Sequence, residues 1–153
     1  MDSVYIFGPI HLFGEDYLPI YKSLTKLCKG YFKKVICTYP DFWDSTNETP
    51  EQFYDRTYKV ITKCDLFIAD VTSPSLGVGM ELQMGQEHNI PCIAICKEGN
   101  KISKMVLGNP IVKKTIYYKN LEDLNNKLEL ALKEKVDKVK FWGVDILFNW
   151  RDN

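Results

Sequence analysis

Short apolar runs alternate along this chain with stretches whose apolar residues return every three or four positions, and that alternation narrows the possible folds more than any other feature. Val4-Tyr5-Ile6-Phe7 is closed by Gly8-Pro9 and predicts a buried strand. Residues 16–29 carry Tyr17, Ile20, Tyr21, Leu24, Leu27 and Cys28 at helical spacing. Val35 to Tyr39 is a second strand, ended by Pro40, and the polar stretch 41–49 predicts a loop. Thr49 can cap a helix over about 50–64, with Pro50 in its first turn. Asp65 to Val71 is the third strand. A helix follows from Gly79 to about His88, with Asn89 able to end it and His88 as a helix-end residue. Pro91 to Cys96 is the fourth strand, Lys97 to Asn100 a polar turn, 102–108 a short helix and Thr115 to Tyr118 the fifth strand. Leucines at 121, 124, 128 and 132 define an amphipathic helix to about Val136, and the tail, about 138–153, is rich in aromatics.

Strands that alternate with helices build a parallel sheet covered on both faces. Five strands in one domain, residues 1–153, predict a flavodoxin-like (Rossmann-like) doubly wound α/β fold with strand order 2-1-3-4-5. Ligands in such folds sit beyond the carboxyl ends of the strands, at the switch point between strands 1 and 3. The loops that leave those strands are Gly8-Pro9-Ile10-His11 and the segment Thr72 to Gly79. Both are expected to face one crevice.

Composition removes several classes of function. Lys+Arg and Asp+Glu are balanced at 20 each, so no basic field argues for a nucleic-acid polymer. The five cysteines, at 28, 37, 64, 92 and 96, form no CxxC pair and lie mostly in apolar runs, which predicts buried thiols in a reducing compartment. The only histidines, His11 and His88, are not near a cysteine pair, so no metal site is predicted. Met1 leads directly into a strand-like run, which predicts no signal peptide, and no apolar stretch is long enough to span a bilayer. The expectation is a soluble protein of the cytoplasm, or also of the nucleus.

The loop Thr72-Ser73-Pro74-Ser75-Leu76-Gly77-Val78-Gly79 is followed closely by Glu81. Gly77 and Gly79 permit a positive φ and close backbone approach. The helix start behind them offers free N–H groups to a polyoxygenated or anionic ligand, with Ser73 and Ser75 adding hydroxyls. The same residues also fit a plain strand-to-helix turn with Glu81 as a favourable first-turn acid. The residues alone leave both readings open.

The stretch ADVTSPSLGVGMELQMG resembles the signature of the nucleoside 2-deoxyribosyltransferase family, and most closely its 2'-deoxynucleoside 5'-phosphate N-hydrolase branch. Val4-Tyr5-Ile6-Phe7-Gly8-Pro9-Ile10 is similar to the family's first strand and loop, and Gly99 to Gly108, with Ile102-Ser103-Lys104-Met105, to its subunit-contact segment. The likeness covers roughly residues 3–135. It implies an enzyme without cofactor, acting on a small deoxynucleotide or deoxynucleoside. Glu81 would be the nucleophile that attacks C1' and expels the base, and Tyr5 its hydrogen-bond partner. Gly8, Ile10, His11, Thr57, Ser75, Gly77 and Gly79 would line the substrate site. The resemblance also implies a homodimer, with Ser103 of one subunit at its neighbour's phosphate site. Phe141, Trp142, Phe148 and Trp150 of the tail would cover a partner or pack on their own core.

Three positions depart from the family pattern. The branch's usual aspartate falls on Thr57, the polar member of the stripe Phe53, Thr57, Val60, Ile61 and Cys64. Threonine is no general acid at neutral pH. Asp41, Asp44 and Asp55 are the candidate replacements, although Asp55 lies about 200° around the helix from Thr57. The first loop carries Pro9 and His11 where the branch has serine and arginine, so phosphate would depend more on Ser75 and Ser103. The leading expectation is an N-glycosidase acting on 2'-deoxynucleoside 5'-monophosphates. The alternatives are a nucleoside 2-deoxyribosyltransferase and a nucleotide-binding protein without turnover.

Overall fold

Strand β1 (Ser3–Phe7) is buried along its whole length, and its side chains divide the core in two. Val4 and Ile6 join one apolar cluster with Tyr21, Leu24, Ile68, Leu124 and Leu128, while Tyr5 and Phe7 join another with Ile61, Phe67, Leu82 and Met84. The computed structural model describes residues 1–9, 17–41 and 47–141, with backbone alone for 40, 41 and 135–141. After β1 come α1 (Leu18–Cys28), β2 (Lys34–Cys37), the short turn α2 (Thr38–Asp41), α3 (Pro50–Ile61), β3 (Leu66–Asp70) and α4 (Leu76–Glu87). The chain continues through β4 (Cys92–Lys97), α5 (Lys104–Leu107), β5 (Val112–Tyr118) and α6 (Leu121–Phe141). The five strands form one parallel sheet in the order β2-β1-β3-β4-β5, as the alternation predicts. Helices α1 and α6 supply residues to the first cluster and α3 and α4 to the second, so both faces of the sheet are covered. All five cysteines are free thiols and buried.

Several boundaries differ from the sequence-based expectation, each for a physical reason. Helix α4 starts at Leu76, three residues early, because the Ser75 hydroxyl caps it by accepting from the Val78 amide. Gly77 and Gly79 therefore lie inside the first turn and have no positive φ, which among described residues occurs at Asn89 and Gly99. Glu81 accordingly falls in the second turn of α4 and is not a first-turn acid. Helix α5 is a single turn of four residues. Strand β5 begins at Val112, because backbone pairing with β4 continues, across a bulge, through the exposed Lys113 and Lys114 to Val112. Residues 38–41 are a kinked turn with Tyr39 extended at φ −122° and ψ 123°, where a strand end and a loop were expected. Helix α3 begins as predicted: Thr49 and Gln52 form a reciprocal capping box around Pro50.

Candidate active site

Tyr5 and Glu81 are 76 positions apart in sequence and meet because β1 and α4 pack across one face of the sheet. The Tyr5 hydroxyl donates to Glu81 Oε1 at 2.6 Å. The Thr38 hydroxyl donates in turn to the Tyr5 oxygen at 2.9 Å. A second acceptor, the Ile6 carbonyl, lies 3.4 Å from Thr38, and one hydroxyl proton serves the shorter contact better. The Tyr5 ring cannot drift, because it stacks on Phe7 with centroids 5.0 Å apart and meets the edge of Phe67 at 5.9 Å. Burial raises the Glu81 carboxyl to about 7, partly opposed by the hydrogen bond from Tyr5. Burial and then the charge of Glu81 hold Tyr5 well above its ordinary value, so it remains a proton-bearing donor.

Glu81 opens onto a cavity of about 760 Å³. Among described residues, α3 contributes Pro50, Phe53, Tyr54 and Thr57 to its wall, α4 contributes Gly77, Val78, Met80, Glu81 and Met84, and the segments that follow the strands contribute Gly8, Pro9, Thr38 and Ser75. Gly8 must be glycine: a Cβ there would run into the Tyr21 hydroxyl and come within 2.7 Å of Asp70 Cβ. Tyr21 then fixes the start of the first loop by donating to the Pro9 carbonyl at 3.1 Å. At the start of α4 the Ser75 side chain occupies the Val78 amide, while the Leu76 and Gly77 amides have no acceptor within the helix. Gly79 faces open space.

Thr57 is 6% exposed and lines the cavity, and its Oγ1 finds no hydrogen-bond partner among the described residues. Asp55 is exposed and lines a different cleft with Arg56 and Lys59, so the expected helical offset keeps it away from Glu81. Ser103 is also outside the cavity. It caps α5 by accepting from the Met105 amide at 3.2 Å and lines a neighbouring cleft of about 350 Å³ with Ser75, Leu76 and Gly79. Ser73 is bonded to the Tyr17 hydroxyl at 3.1 Å. His88 ends α4, with its Nε2 3.1 Å from the Tyr58 hydroxyl. Ile10, His11, Asp44, Trp142, Phe148 and Trp150 lie outside the described residues, as do the side chains of Asp41 and Phe141. No group of three or more His, Cys, Asp or Glu side chains able to hold a metal occurs among described residues. No described helix is long and apolar enough to cross a membrane.

Sequence reasoning missed Thr38, Met80 and Met84. Thr38 had a usable signal: it is a polar residue at the carboxyl end of the strand predicted to lie beside β1. The two methionines had none, since both read as ordinary helix residues.

No family model matches the chain. A protein of Nematostella vectensis, provisionally named 2'-deoxynucleoside 5'-phosphate N-hydrolase 1, is 35% identical over 113 residues, which cover 69% of this chain and 76% of that protein. The chain belongs to the 2'-deoxynucleoside 5'-phosphate N-hydrolase family. A relative in Syntrophotalea carbinolica under the same provisional name is 37% identical over 83 residues, 53% of this chain and 58% of that one. Matches to the first relatives found span 38% to 58% of their lengths. Among solved structures, the 2-deoxyribosyltransferase of Bacillus psychrosaccharolyticus superposes with a TM-score of 0.63 at 15% identity, covering 85% of this chain and 95% of that one. That likeness concerns the fold. In this member of the N-hydrolase family, Ser75, Gly77 and Glu81 of the signature stretch all line the cavity, while Gly79 lines the neighbouring cleft.

Proposed function

We propose that the chain cleaves the bond between base and deoxyribose in 2'-deoxynucleoside 5'-monophosphates, with Glu81 as nucleophile. The observation that carries this reading is the 2.6 Å hydrogen bond from a rigidly packed Tyr5 to a carboxylate that opens onto a cavity of nucleotide size. Cleavage of an N-glycosidic bond develops positive charge at C1'. The Glu81 carboxylate attacks C1', the carbon–nitrogen bond breaks, and the sugar remains as an ester on Glu81. Water then attacks C1', frees Glu81 and yields deoxyribose 5-phosphate. Tyr5 holds Oε1 and so orients the carboxylate, leaving the other oxygen to face the sugar and attack C1'. Phosphate would meet the Leu76 and Gly77 amides and the Ser75 hydroxyl at the start of α4, with Gly8 in the same cavity wall. We also propose substrate contact for Ile10 and His11 of the first loop, which lie outside the described residues.

We propose further that the active unit is a homodimer in which Ser103 comes near the neighbour's site. Support comes from Leu76, 91% exposed, and Met105, 84% exposed, which both line the Ser103 cleft and leave apolar surface to be covered. A second reading, base exchange on unphosphorylated deoxynucleosides, is favoured by one observation. Pro9 lines the cavity and has neither an amide proton nor a hydroxyl to offer phosphate.

The readings separate when the protein is incubated with dGMP, with deoxyinosine, and with deoxyinosine plus adenine, and free base and new nucleoside are followed by chromatography. Guanine released from dGMP without an acceptor supports the hydrolase, and new deoxyadenosine supports the transferase. Tight binding without product would leave a nucleotide-binding protein. Glu81→Ala is expected to abolish base release, and normal turnover by that variant would refute the assignment of the nucleophile.

A further inference from the structure

We propose that Thr57 restricts this reaction to bases that depart as stabilised anions, its hydroxyl donating a hydrogen bond to an exocyclic oxygen of the leaving base. The proposal rests on the reading of Glu81 given above and adds the substrate class. A threonine inside a helix ordinarily turns its hydroxyl back to the carbonyl four residues earlier. Thr57 Oγ1 makes no such bond, although the residue is more than nine-tenths buried and lines the cavity. A buried hydroxyl left in this state is matched by a ligand that supplies the partner.

The surroundings indicate which part of the ligand that is. Phe53 and Tyr54 stand on the same helix as Thr57, and Met80 and Met84 reach the cavity from α4. Aromatic faces and thioethers suit a flat heterocycle. The base therefore lies against α3 and the deoxyribose against Glu81. Placed there, Thr57 can donate a hydrogen bond but cannot hand over its proton near neutral pH. Glu81 is engaged as nucleophile, and the described lining holds no second carboxylate or imidazole.

With Thr57 as the group that meets the base, the electrons of the breaking bond are accommodated by the base itself. As the C1'–Oε bond forms, the C1'–N pair passes to the ring nitrogen and spreads onto neighbouring carbonyl oxygens, where Thr57 meets the growing charge. The base anion takes a proton from water after it departs. Water that adds to C1' loses its proton to solvent, so one water is consumed for each base and sugar phosphate released. Uracil-type bases, with two carbonyl groups, hold this charge. Adenine has no carbonyl and depends on protonation.

The test is single-turnover cleavage of dUMP and its 5-methyl, 5-bromo and 5-fluoro derivatives, with dAMP for comparison, by the full chain and by Thr57→Val and Thr57→Asp. For the native protein the rate is expected to rise about 10-fold or more from the 5-methyl to the 5-fluoro base, with dAMP about 100-fold slower than dUMP. Thr57→Val is expected to lower the dUMP rate constant roughly 10-fold or more, with a smaller change in KM, because the bond strengthens as charge develops. Thr57→Asp is expected to flatten the dependence on base acidity and to raise the rate on dAMP. Base release at equal rates across the native series would overturn the proposal by showing that an acid reaches the base from elsewhere. A Thr57→Val rate equal to the native one would overturn it as well. If Thr57→Val fails to fold by circular dichroism, the native series decides alone. No release from any substrate would instead refute the N-glycosidase reading, and this proposal with it.

Discussion

At the scale of single residues, the consequential choice is a half-buried carboxylate set in the wall of a largely apolar cavity. Only the ionised form of Glu81 can attack carbon, and burial moves its titration to about 7. We therefore expect kcat/KM to fall about tenfold for each pH unit below that value and to level off above it. A pH–rate profile for dUMP checks this, and a rate independent of pH between 5 and 7 would argue against Glu81 as the nucleophile. The same shift makes a prediction about stability. The folded pKa lies above the ordinary value of 4.5, so the unfolded chain releases this proton first. Glu81 does not penalise the fold below about pH 4.5, penalises it progressively as pH rises towards 7, and does so fully above. Glu81→Gln keeps an acceptor for Tyr5 and removes the charge. It should be more stable than the native chain at pH 8, on the order of 2 kcal/mol, and nearly equal to it near pH 4.5. Urea denaturation at the two pH values measures the difference.

At the scale of elements, helix α4 has glycines of two kinds. Gly85 lies against the Phe67 ring, and an added Cβ would overlap it. Gly79 looks into open space in the second half of the first turn. Gly85→Ala is expected to destabilise the fold by about 1–3 kcal/mol through overpacking. Gly79→Ala is expected to stabilise it by up to about 1 kcal/mol, since alanine is the better helix former. Thermal denaturation of the two variants should move in opposite directions, and a shift of the same sign would show that the packing of α4 is misread. The sequence could not tell these glycines apart, because the difference depends on a phenylalanine contributed by β3. It did reveal the start of α3, where Thr49, Pro50 and Gln52 form a complete local signal. It misplaced the start of α4, where the cap is Ser75 and two glycines of low helix propensity follow it.

At the scale of the whole molecule, the proposed homodimer would cover the exposed Leu76 and Met105. Light scattering on the native chain should give twice the chain mass, and Leu76→Glu should shift it towards the monomer. A native chain that is monomeric at micromolar concentration would remove the proposed role of Ser103.

The alternation of apolar runs and helical periods already contained the strand order, the two-sided core and the crevice beyond β1 and β3, because parallel strands joined by helices have few ways to bury their apolar faces. The signature around Glu81 likewise marked the carboxylate. The tertiary structure decided what surrounds it. Thr38 reaches Tyr5 only because β2 pairs with β1, and Thr57 has no partner among the described residues only because α3 turns it into the cavity. These relations depend on where separate elements come to rest, and one chain's local periodicity carries no record of that.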